Sequence, residues 1–236
     1  MTGLHLVLQG VVKRFGAVPV LDGVDLDLAS GARGWLSGAN GAGKSTLLDL
    51  ITGAQRADAG RMQADAVVLD RLTMPARARL GIVRGWQLPC VFGSHTVGAQ
   101  LAAAIQLRAV PVQGRGAVPG ALSLRPAALD AHDEAVSALA ARWGLVDKRD
   151  ALPAALSHAQ RRLLDLALAF AGPARLVLLD EPSAGLSRRD ADELFALLDE
   201  QTRGCTVLIV EHDHRLARSY AERSFTLREG RLHVEA

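Results

Sequence analysis

A glycine-rich stretch at residues 38–46, GANGAGKST, follows a short apolar run and precedes a helical pattern. It matches G-x-x-x-x-G-K-[ST], in which backbone amides curl around phosphate oxygens and the lysine reaches the β- and γ-phosphates. Ser45 is then the predicted magnesium ligand and Thr46 a further phosphate contact. An ordinary glycine-rich turn is the alternative, but the strand-then-helix context argues against it. The predicted phosphate-binding residues are Gly38, Ala39, Asn40, Gly41, Ala42, Gly43, Lys44, Ser45 and Thr46.

Two adjacent carboxylates end a buried strand pattern further along the chain, in LVLLDEP at residues 176–182. Charges at the end of an apolar strand are costly unless they serve a purpose. Beside a P-loop, Asp180 is predicted to hold magnesium through water, and Glu181 to orient or deprotonate a water aimed at a γ-phosphate. A solvated strand end is the alternative, and it would be the better interpretation of an isolated Asp-Glu pair.

A histidine follows the next strand pattern, where TVLIV leads into EHD at residues 211–213. Neighbouring parallel strands present the loops that follow them to one ligand crevice. His212 is therefore predicted to share a site with the P-loop and Glu181. Taken alone, this residue would be interpreted as a helix-cap or surface histidine.

The stretch LSHAQRR at residues 156–162 opens a helical pattern that runs to Gly172. Ser157 and Gln160 have the spacing of a capping box, in which each side chain satisfies a backbone amide of the first turn. Alternatively, the free amides and the positive end of the helix dipole face a bound anion. These residues by themselves leave both interpretations open.

The elements that position these residues follow from the hydrophobic patterns. Alternating apolar and polar residues near the start predict antiparallel strands, with Leu26 and Leu28 facing inward. From residue 34 onward, short apolar runs precede helical periodicity three times, which predicts a mainly parallel sheet covered by helices in an α/β fold. The chain closes with a predicted hairpin that turns at Glu229 and Gly230.

The middle of the chain has a different pattern, because strand signals give way to Ala/Leu-rich helical segments. We predict one domain over residues 1–236, with an α/β core at 1–93 and 173–236 and a helical subdomain at 94–172 that contains LSHAQ. A Pro/Gly-rich interruption at 110–120 is predicted to be a mobile loop between helices.

The composition indicates a globular chain of 236 residues with a net charge of +2 and no strongly basic patch, so no nucleic-acid partner is expected. Cys90 and Cys205 lack ligand or framework spacing, which predicts two buried thiols in a reducing, cytosolic compartment. No signal-peptide pattern is present, and no apolar run is long enough to span a bilayer. Any role at a membrane would then depend on a partner.

Taken in order, the P-loop, the Asp-Glu strand end and the histidine resemble the ATP-binding cassette (ABC) ATPases of membrane transporters. The resemblance runs from about Phe15 to Gly230 and implies a P-loop NTPase fold of the RecA-like kind. Phe15 lies where that family stacks a ring on adenine, with a buried core phenylalanine as the alternative. Gln87 lies at the family's Q-loop, which touches magnesium and links the nucleotide to the transmembrane partner. LSHAQ lies at the LSGGQ signature, and SAGLS at residues 183–187 lies at the loop that crosses the dimer interface.

In this family two cassettes face each other head to tail, and each ATP lies with Mg²⁺ between one P-loop and the partner's signature helix. The resemblance therefore implies that Ser157 and Gln160 bind the ATP of a second subunit. It also implies that Glu181 is the base for hydrolysis and that His212 contacts the γ-phosphate. The implied catalytic residues are Glu181, His212, Lys44 and Gln87, and the implied metal contacts are Ser45, Gln87 and Asp180.

The implied partners are transmembrane permease subunits, a second ABC ATPase subunit and, indirectly, a solute-binding protein. The chain would then lie at the cytoplasmic face of the membrane, bound through the permease. DLITG, ARLGIVRGWQ, SAGL and EHD look most like ATPases for uptake of branched-chain amino acids and urea. The apolar lining of the groove for the permease would come from neighbours of Gln87, or these residues would simply pack in the helical subdomain: Trp86, Leu88, Val91 and Phe92.

The sequence departs from the family pattern at His158 and Ala159, which replace two glycines of the signature, and at Ser187, where many relatives carry Asp. A methyl group at Ala159 would crowd a close approach of backbone to phosphate. We expect the ATP site completed by this signature to be the weaker one of a pair. Such an asymmetry favours a paralogous partner over a second copy of the chain.

Other functions within reach of these motifs are a soluble ABC ATPase of cluster assembly, translation or DNA repair, and a degenerate cassette that binds ATP as a regulatory module. The first usually shows tandem cassettes or basic extensions, which the sequence lacks. Intact Glu181 and His212 argue against the second, and Ala159 argues for it. A nucleotide kinase also uses a P-loop, but that function would not explain Gln87, the Asp-Glu pair and His212 together.

Overall fold

The computed structural model describes residues 2–87, 90–109 and 126–235 of the chain. The predicted mobile loop at 110–120 and the predicted groove residue Leu88 lie outside these ranges.

Two compact units make up the chain, and the second is inserted in the sequence of the first. The first unit comprises Met1–Gln87 and Ala174–Ala236, and the second comprises Leu88–Pro173. The division at 87/88 falls six residues before the boundary expected from the sequence, and the division at 173/174 falls one residue after it.

A six-stranded sheet forms the centre of the first unit. Five of its strands are parallel neighbours, and the last strand of the chain joins them antiparallel, so the predicted mainly parallel sheet is confirmed. Every residue of two adjacent strands, Leu176–Asp180 and Thr206–Val210, is buried, as their unbroken apolar sequences require of a sheet covered on both faces. In spatial order the strands are β10 (Arg231–Glu235), β9 (Arg223–Arg228), β3 (Arg33–Ser37), β8 (Thr206–Val210), β7 (Leu176–Asp180) and β6 (Ile82–Gly85).

An antiparallel sheet of four strands forms the second layer of this unit and confirms the alternating pattern seen near the start of the chain. Leu26 and Leu28 are buried, as predicted. Leucines from both sheets form one apolar core. The strands, in spatial order, are β2 (Val18–Leu28), β1 (Leu6–Phe15), β4 (Ala59–Ala64) and β5 (Val67–Val68).

Three helices of the first unit follow strands of the parallel sheet, which places their first turns near the sheet's carboxyl edge, whereas Met74–Arg79 follows a strand of the antiparallel sheet. Leucines on one side of the longest helix are buried, and Ser187 caps its start by accepting from the backbone N–H of Asp190. The helices are α1 (Lys44–Thr52), α2 (Met74–Arg79), α6 (Arg188–Gln201) and α7 (His214–Tyr220).

The described part of the second unit is helical, as predicted for the middle of the chain. Buried Trp143 packs against Phe170 with 5.2 Å between ring centroids. The helix that opens after Ser157 ends at Ala169, three residues before the predicted end at Gly172. The elements are α3 (Val97–Ala109), α4 (Pro126–Arg142), 3₁₀ turns at Val146–Lys148 and Pro153–Ala155, and α5 (His158–Ala169).

The two cysteines differ in exposure, so the prediction of two buried thiols is correct for one only. Cys205 is buried, and burial raises the pKa of its thiol. Cys90 is exposed, because its segment leaves the sheet instead of continuing an apolar strand. Its backbone N–H donates to Asp165 at 2.8 Å.

Candidate functional site

The P-loop joins β3 to α1 in a backbone path that only glycine accommodates at two positions. Gly43 caps α1 with φ 102°, and a Cβ there would lie 2.9 Å from Val20 Cγ1. Gly38 has φ 147°, and a Cβ there would lie 2.5 Å from the carbonyl oxygen of Leu227. Side chains at these positions would strain the loop or push it off its neighbours. Because the cap residue is a glycine, no side chain satisfies the first-turn amides of α1, which stay available to an anion.

Lys44 is the first residue of α1, and its ammonium group turns back over the P-loop. Its Nζ donates to the carbonyl oxygens of Gly38 at 2.7 Å and Ala39 at 2.9 Å. These contacts use two of the three donors of an ammonium group and leave one for a ligand. The carbonyl groups of the P-loop therefore fix the position of the Lys44 ammonium group without a bound phosphate.

A cavity of about 530 Å³ opens beside the P-loop and α1. It brings together most of the residues predicted to bind nucleotide, although they come from four separate parts of the sequence. Val20 is the one lining residue that the sequence interpretation missed. Phe15, Gly38, Ala39, Ala42 and Asp180 were predicted for the site but do not line this cavity. The lining residues are Val20, Asn40, Gly41, Gly43, Lys44, Ser45, Thr46, Gln87, Glu181 and His212.

Glu181 lies on the cavity wall directly after β7, and its carboxylate is held from both sides. Gln87 Nε2 donates to Oε2 at 3.0 Å, and His212 Nε2 lies 2.9 Å from Oε1. The backbone of Glu181 has φ 47°, a left-handed conformation that is uncommon for a residue other than glycine. Such strain persists where surrounding contacts fix it, and it clusters at functional sites.

The parallel sheet explains why these three residues meet. β7 and β8 are adjacent, with Asp180 opposite Val210, so the residues that follow each strand lie at one edge. β6 pairs with β7 on the other side and ends at Gly85, two residues before Gln87. The predicted common edge for the Asp-Glu pair and His212 is therefore confirmed.

Asp180 takes part in a buried ion-pair network that the sequence interpretation did not include. Its Oδ2 accepts from Arg84 at 2.9 Å, and the same guanidinium group pairs with Asp49 of α1. Arg84 also stacks on Trp86, with 4.1 Å between its guanidinium carbon and the ring centroid. The available signal was a lone arginine within the apolar stretch GIVRG, since such a residue is buried only when paired.

The oxygen chemistry near Asp180 suits magnesium bound mainly by phosphates and water. Asp180 Oδ1 is buried and accepts no hydrogen bond among the described residues. Within the same ranges, no group of three or more His, Cys, Asp or Glu side chains forms a metal-binding cluster. Magnesium in nucleotide sites keeps several waters and takes only one or two protein oxygens. A carboxylate oxygen without a hydrogen bond among the described residues, at the end of the strand that leads into Glu181, fits that kind of site.

The capping box at the start of α5 is confirmed. Ser157 Oγ accepts from the backbone N–H of Gln160 at 3.1 Å, and Gln160 Oε1 accepts from the backbone N–H of Ser157 at 2.9 Å. The contact of these two residues with a second subunit's ATP stays a prediction. Phe15 ends β1 with its side chain half exposed, and Lys13 Nζ lies 5.4 Å from the ring centroid. It is therefore not the buried core residue that was the alternative interpretation.

Comparison with known proteins identifies the family. Residues 21–184 match the ABC transporter family, and the chain belongs to it. The chain is 34% identical over 229 residues to ribose import ATP-binding protein RbsA 1 of Rubrobacter xylanophilus, covering 96% of this chain and 43% of that protein. It is 30% identical over 229 residues to the high-affinity branched-chain amino acid transport ATP-binding protein LivG of Salmonella typhimurium, covering 95% and 88%.

Solved structures agree with the fold. A nucleotide-free ATP-binding cassette from an ABC transporter superposes with a TM-score of 0.79 at 25% identity, over 97% of this chain and 89% of the other. The chain spans less than half the length of the ribose import relative. In the described ranges, none of the helices has the length and apolar character needed to cross a membrane.

Proposed function

We propose that this chain binds and hydrolyses ATP as the energy-supplying subunit of an ABC importer. The observation that carries the proposal is the position of Glu181, whose carboxylate lies between Gln87 and His212 on the wall of the P-loop cavity. A carboxylate oriented by two side chains beside a phosphate-binding loop is suited to activate a water for attack on a γ-phosphate.

Binding would begin at the P-loop. The uncapped amides at the start of α1 and the free donor of Lys44 would hold the β- and γ-phosphates, with the helix dipole adding to the attraction. The half-exposed ring of Phe15 would stack on adenine, and the neighbouring Lys13 keeps positive charge beside that ring. No rearrangement of the P-loop backbone is needed for this step, because its glycines already hold the left-handed conformations.

Magnesium would be held by the Ser45 hydroxyl, by Gln87 and, through water, by Asp180 Oδ1. The metal held there would supply positive charge that neutralises the charge developing on the phosphate oxygens. Arg84 donates to the other oxygen of Asp180, and Oδ1 has no hydrogen-bond partner among the described residues.

For hydrolysis, the water oxygen would bond to the γ-phosphorus while Glu181 accepts the proton of that water. The bond from the γ-phosphorus to the β–γ bridging oxygen would break, with ADP as the leaving group. His212 contacts the same carboxylate through Nε2, and it would donate to a γ-phosphate oxygen once ATP is bound. Gln87 restrains the other carboxylate oxygen and connects the site to the start of the second unit's sequence.

The proposed assembly pairs this chain with a second, paralogous cassette, with Ser157 and Gln160 completing the partner's ATP site. Permease subunits would anchor the pair at the cytoplasmic face of the membrane, and a solute-binding protein would deliver the solute to them. Similarity to a branched-chain amino acid relative and to a ribose import relative supports an importer of small polar solutes. Branched-chain amino acids or urea are the solutes that the sequence motifs favour.

The proposal is tested by Mg²⁺-dependent ATP hydrolysis of the purified full chain, measured alone and after assembly with candidate permease subunits. We expect the assembly to hydrolyse ATP and to lose this activity in EDTA. Lys44→Ala should lose both ATP hydrolysis and ATP affinity. Lys148→Ala, a lysine on the 3₁₀ turn of the second unit, is the control and should behave like the wild type. Absence of hydrolysis in every assembly, or undiminished ATP binding by Lys44→Ala in calorimetry, would contradict the proposal.

A further inference from the structure

Glu211 is a buried carboxylate at the end of β8, immediately before His212, with only 5% of its surface exposed. Its Oε1 accepts from the backbone N–H groups of His212 at 2.7 Å and Asp213 at 3.2 Å. Its Oε2 accepts from the Ser183 hydroxyl at 2.8 Å and the Ser183 N–H at 3.3 Å. One side chain therefore connects the loop after β8 with the loop after β7.

The backbone of Glu211 is held from a third direction. Trp35, a buried residue of the strand that leads into the P-loop, donates from Nε1 to the Glu211 carbonyl oxygen at 2.9 Å. The Trp35 ring in turn meets His214 edge-on, with 4.8 Å between centroids. Glu211 is thus fixed relative to β3 while its carboxylate reaches both neighbouring loops.

The charge on this residue has no cationic partner, since no ion pair to Glu211 occurs among the described residues. A buried carboxylate is tolerated only when hydrogen bonds replace its hydration, and here four do so. Three of the four donors are backbone N–H groups, which can donate a hydrogen bond but cannot accept one. A glutamine of the same shape would turn an NH₂ group toward one of those N–H groups, so the geometry requires an acceptor at both oxygens.

We propose that Glu211 is a positioning residue for hydrolysis. By hydrogen bonding to the loop after β7 and the loop after β8, it would keep the side chains of Glu181 and His212 in contact. Ser183 lies two residues after Glu181, whose left-handed backbone needs fixing, and a backbone turn closes from Ala184 N–H to the Glu181 carbonyl at 3.1 Å. His212 follows Glu211 directly. Loosening Glu211 would let the 2.9 Å contact between Glu181 and His212 open.

The inference rests on the proposed function, and it adds that movement of the loop after β7 would be transmitted to the loop after β8. The loop that contains Ser183 is the segment that the sequence predicts at the interface with a second cassette. Through Glu211, a shift of that loop would reach His212 without passing through bound nucleotide. Glu211 does not line the P-loop cavity, so its loss should lower turnover and leave ATP binding intact.

The test compares the full chain with Glu211→Gln, Ser183→Ala and the double variant, by kcat and KM for ATP and by calorimetric ATP affinity. Since a misplacement near 1 Å costs about 100-fold, we expect Glu211→Gln to lower kcat by about 10- to 100-fold. KM and ATP affinity should stay within about twofold of the wild type. Ser183→Ala should lower kcat to a smaller extent, and the double variant should resemble Glu211→Gln because both changes break one contact.

Glu222→Gln removes an exposed carboxylate from the same unit and is the matched control. A kcat for Glu211→Gln within about twofold of this control would overturn the inference. A parallel loss of ATP affinity, or multiplicative effects in the double variant, would also overturn it, because a merely structural role predicts both. Should Glu211→Gln fail to fold, Ser183→Ala alone provides the test, and the inference then requires a lower kcat with an unchanged KM. Loss of turnover in the wild type itself would instead count against the proposed function.

Discussion

Replacing Arg84 with methionine is expected to destabilise the first unit strongly, because it removes the cation from a buried network. The Arg84 and Asp180 side chains are each 4% exposed, and Asp49 is 21% exposed. Asp49 keeps a hydrogen bond from Gln55 at 3.0 Å, whereas Asp180 loses the one side-chain partner that its carboxylate has among the described residues. The cost therefore falls mainly on Asp180, which would be left as an unpaired buried charge.

The size of the effect follows from that geometry. Removing one partner of a buried ion pair costs about 3 to 5 kcal/mol in the free energy of unfolding. For a chain of this length each kcal/mol lowers Tm by about 2 to 4 °C, so Tm should fall by about 6 to 20 °C. Methionine retains most of the apolar stem of arginine, but loss of the guanidinium group also removes its stacking on Trp86, which adds to the destabilisation.

The assay is urea unfolding followed by far-UV circular dichroism, with Tm from a parallel thermal scan. Arg189→Ala is the matched control, because Arg189 is 87% exposed and pairs with Glu193 on the surface of α6. That control should lose no more than about 0.5 kcal/mol. Removing both charges in Arg84→Met/Asp180→Asn should recover part of the stability lost in Arg84→Met. A loss below about 1 kcal/mol for Arg84→Met would refute the assignment of this network as a structural support of the site.

Two further predictions concern nucleotide binding and assembly. Phe15→Ala should weaken ATP binding in calorimetry by about 1 to 3 kcal/mol with little change in Tm, since the ring is half exposed and stacking is its expected role; unchanged affinity would exclude that role. Ala159→Gly, which restores a glycine where the family approaches phosphate with its backbone, should raise the ATPase rate of the assembled transporter; an unaltered rate would show that the methyl group is not what weakens the site.

Features encoded in short stretches of sequence were predictable. The glycine spacing of the P-loop, the capping box of Ser157 and Gln160, and the parallel strands of unbroken apolar sequence each depend on residues within one turn or one strand. The order of strands along the parallel sheet then brings Glu181 and His212 to one edge, so that part of the site could be inferred as well.

Features that depend on contacts between distant segments were not predictable in the same way. Arg84 reaches Asp49 and Asp180 from a strand whose apolar sequence is only four residues long and carries the arginine itself. Glu211 resembles a strand-end carboxylate until Ser183 is brought beside it from 28 residues away. The exposure of Cys90 was not predicted for a related reason. Apolar neighbours in the sequence do not indicate where the chain leaves the sheet.

The central claim is that Glu181 activates the attacking water and does not hold the nucleotide. The most direct test measures ATP affinity and turnover on the same preparations of wild type and Glu181→Gln. The account predicts affinities within about twofold and turnover reduced by at least about 100-fold, with a stable ATP-bound closed complex in the variant. Normal steady-state hydrolysis by Glu181→Gln, or loss of its ATP affinity, would contradict the account.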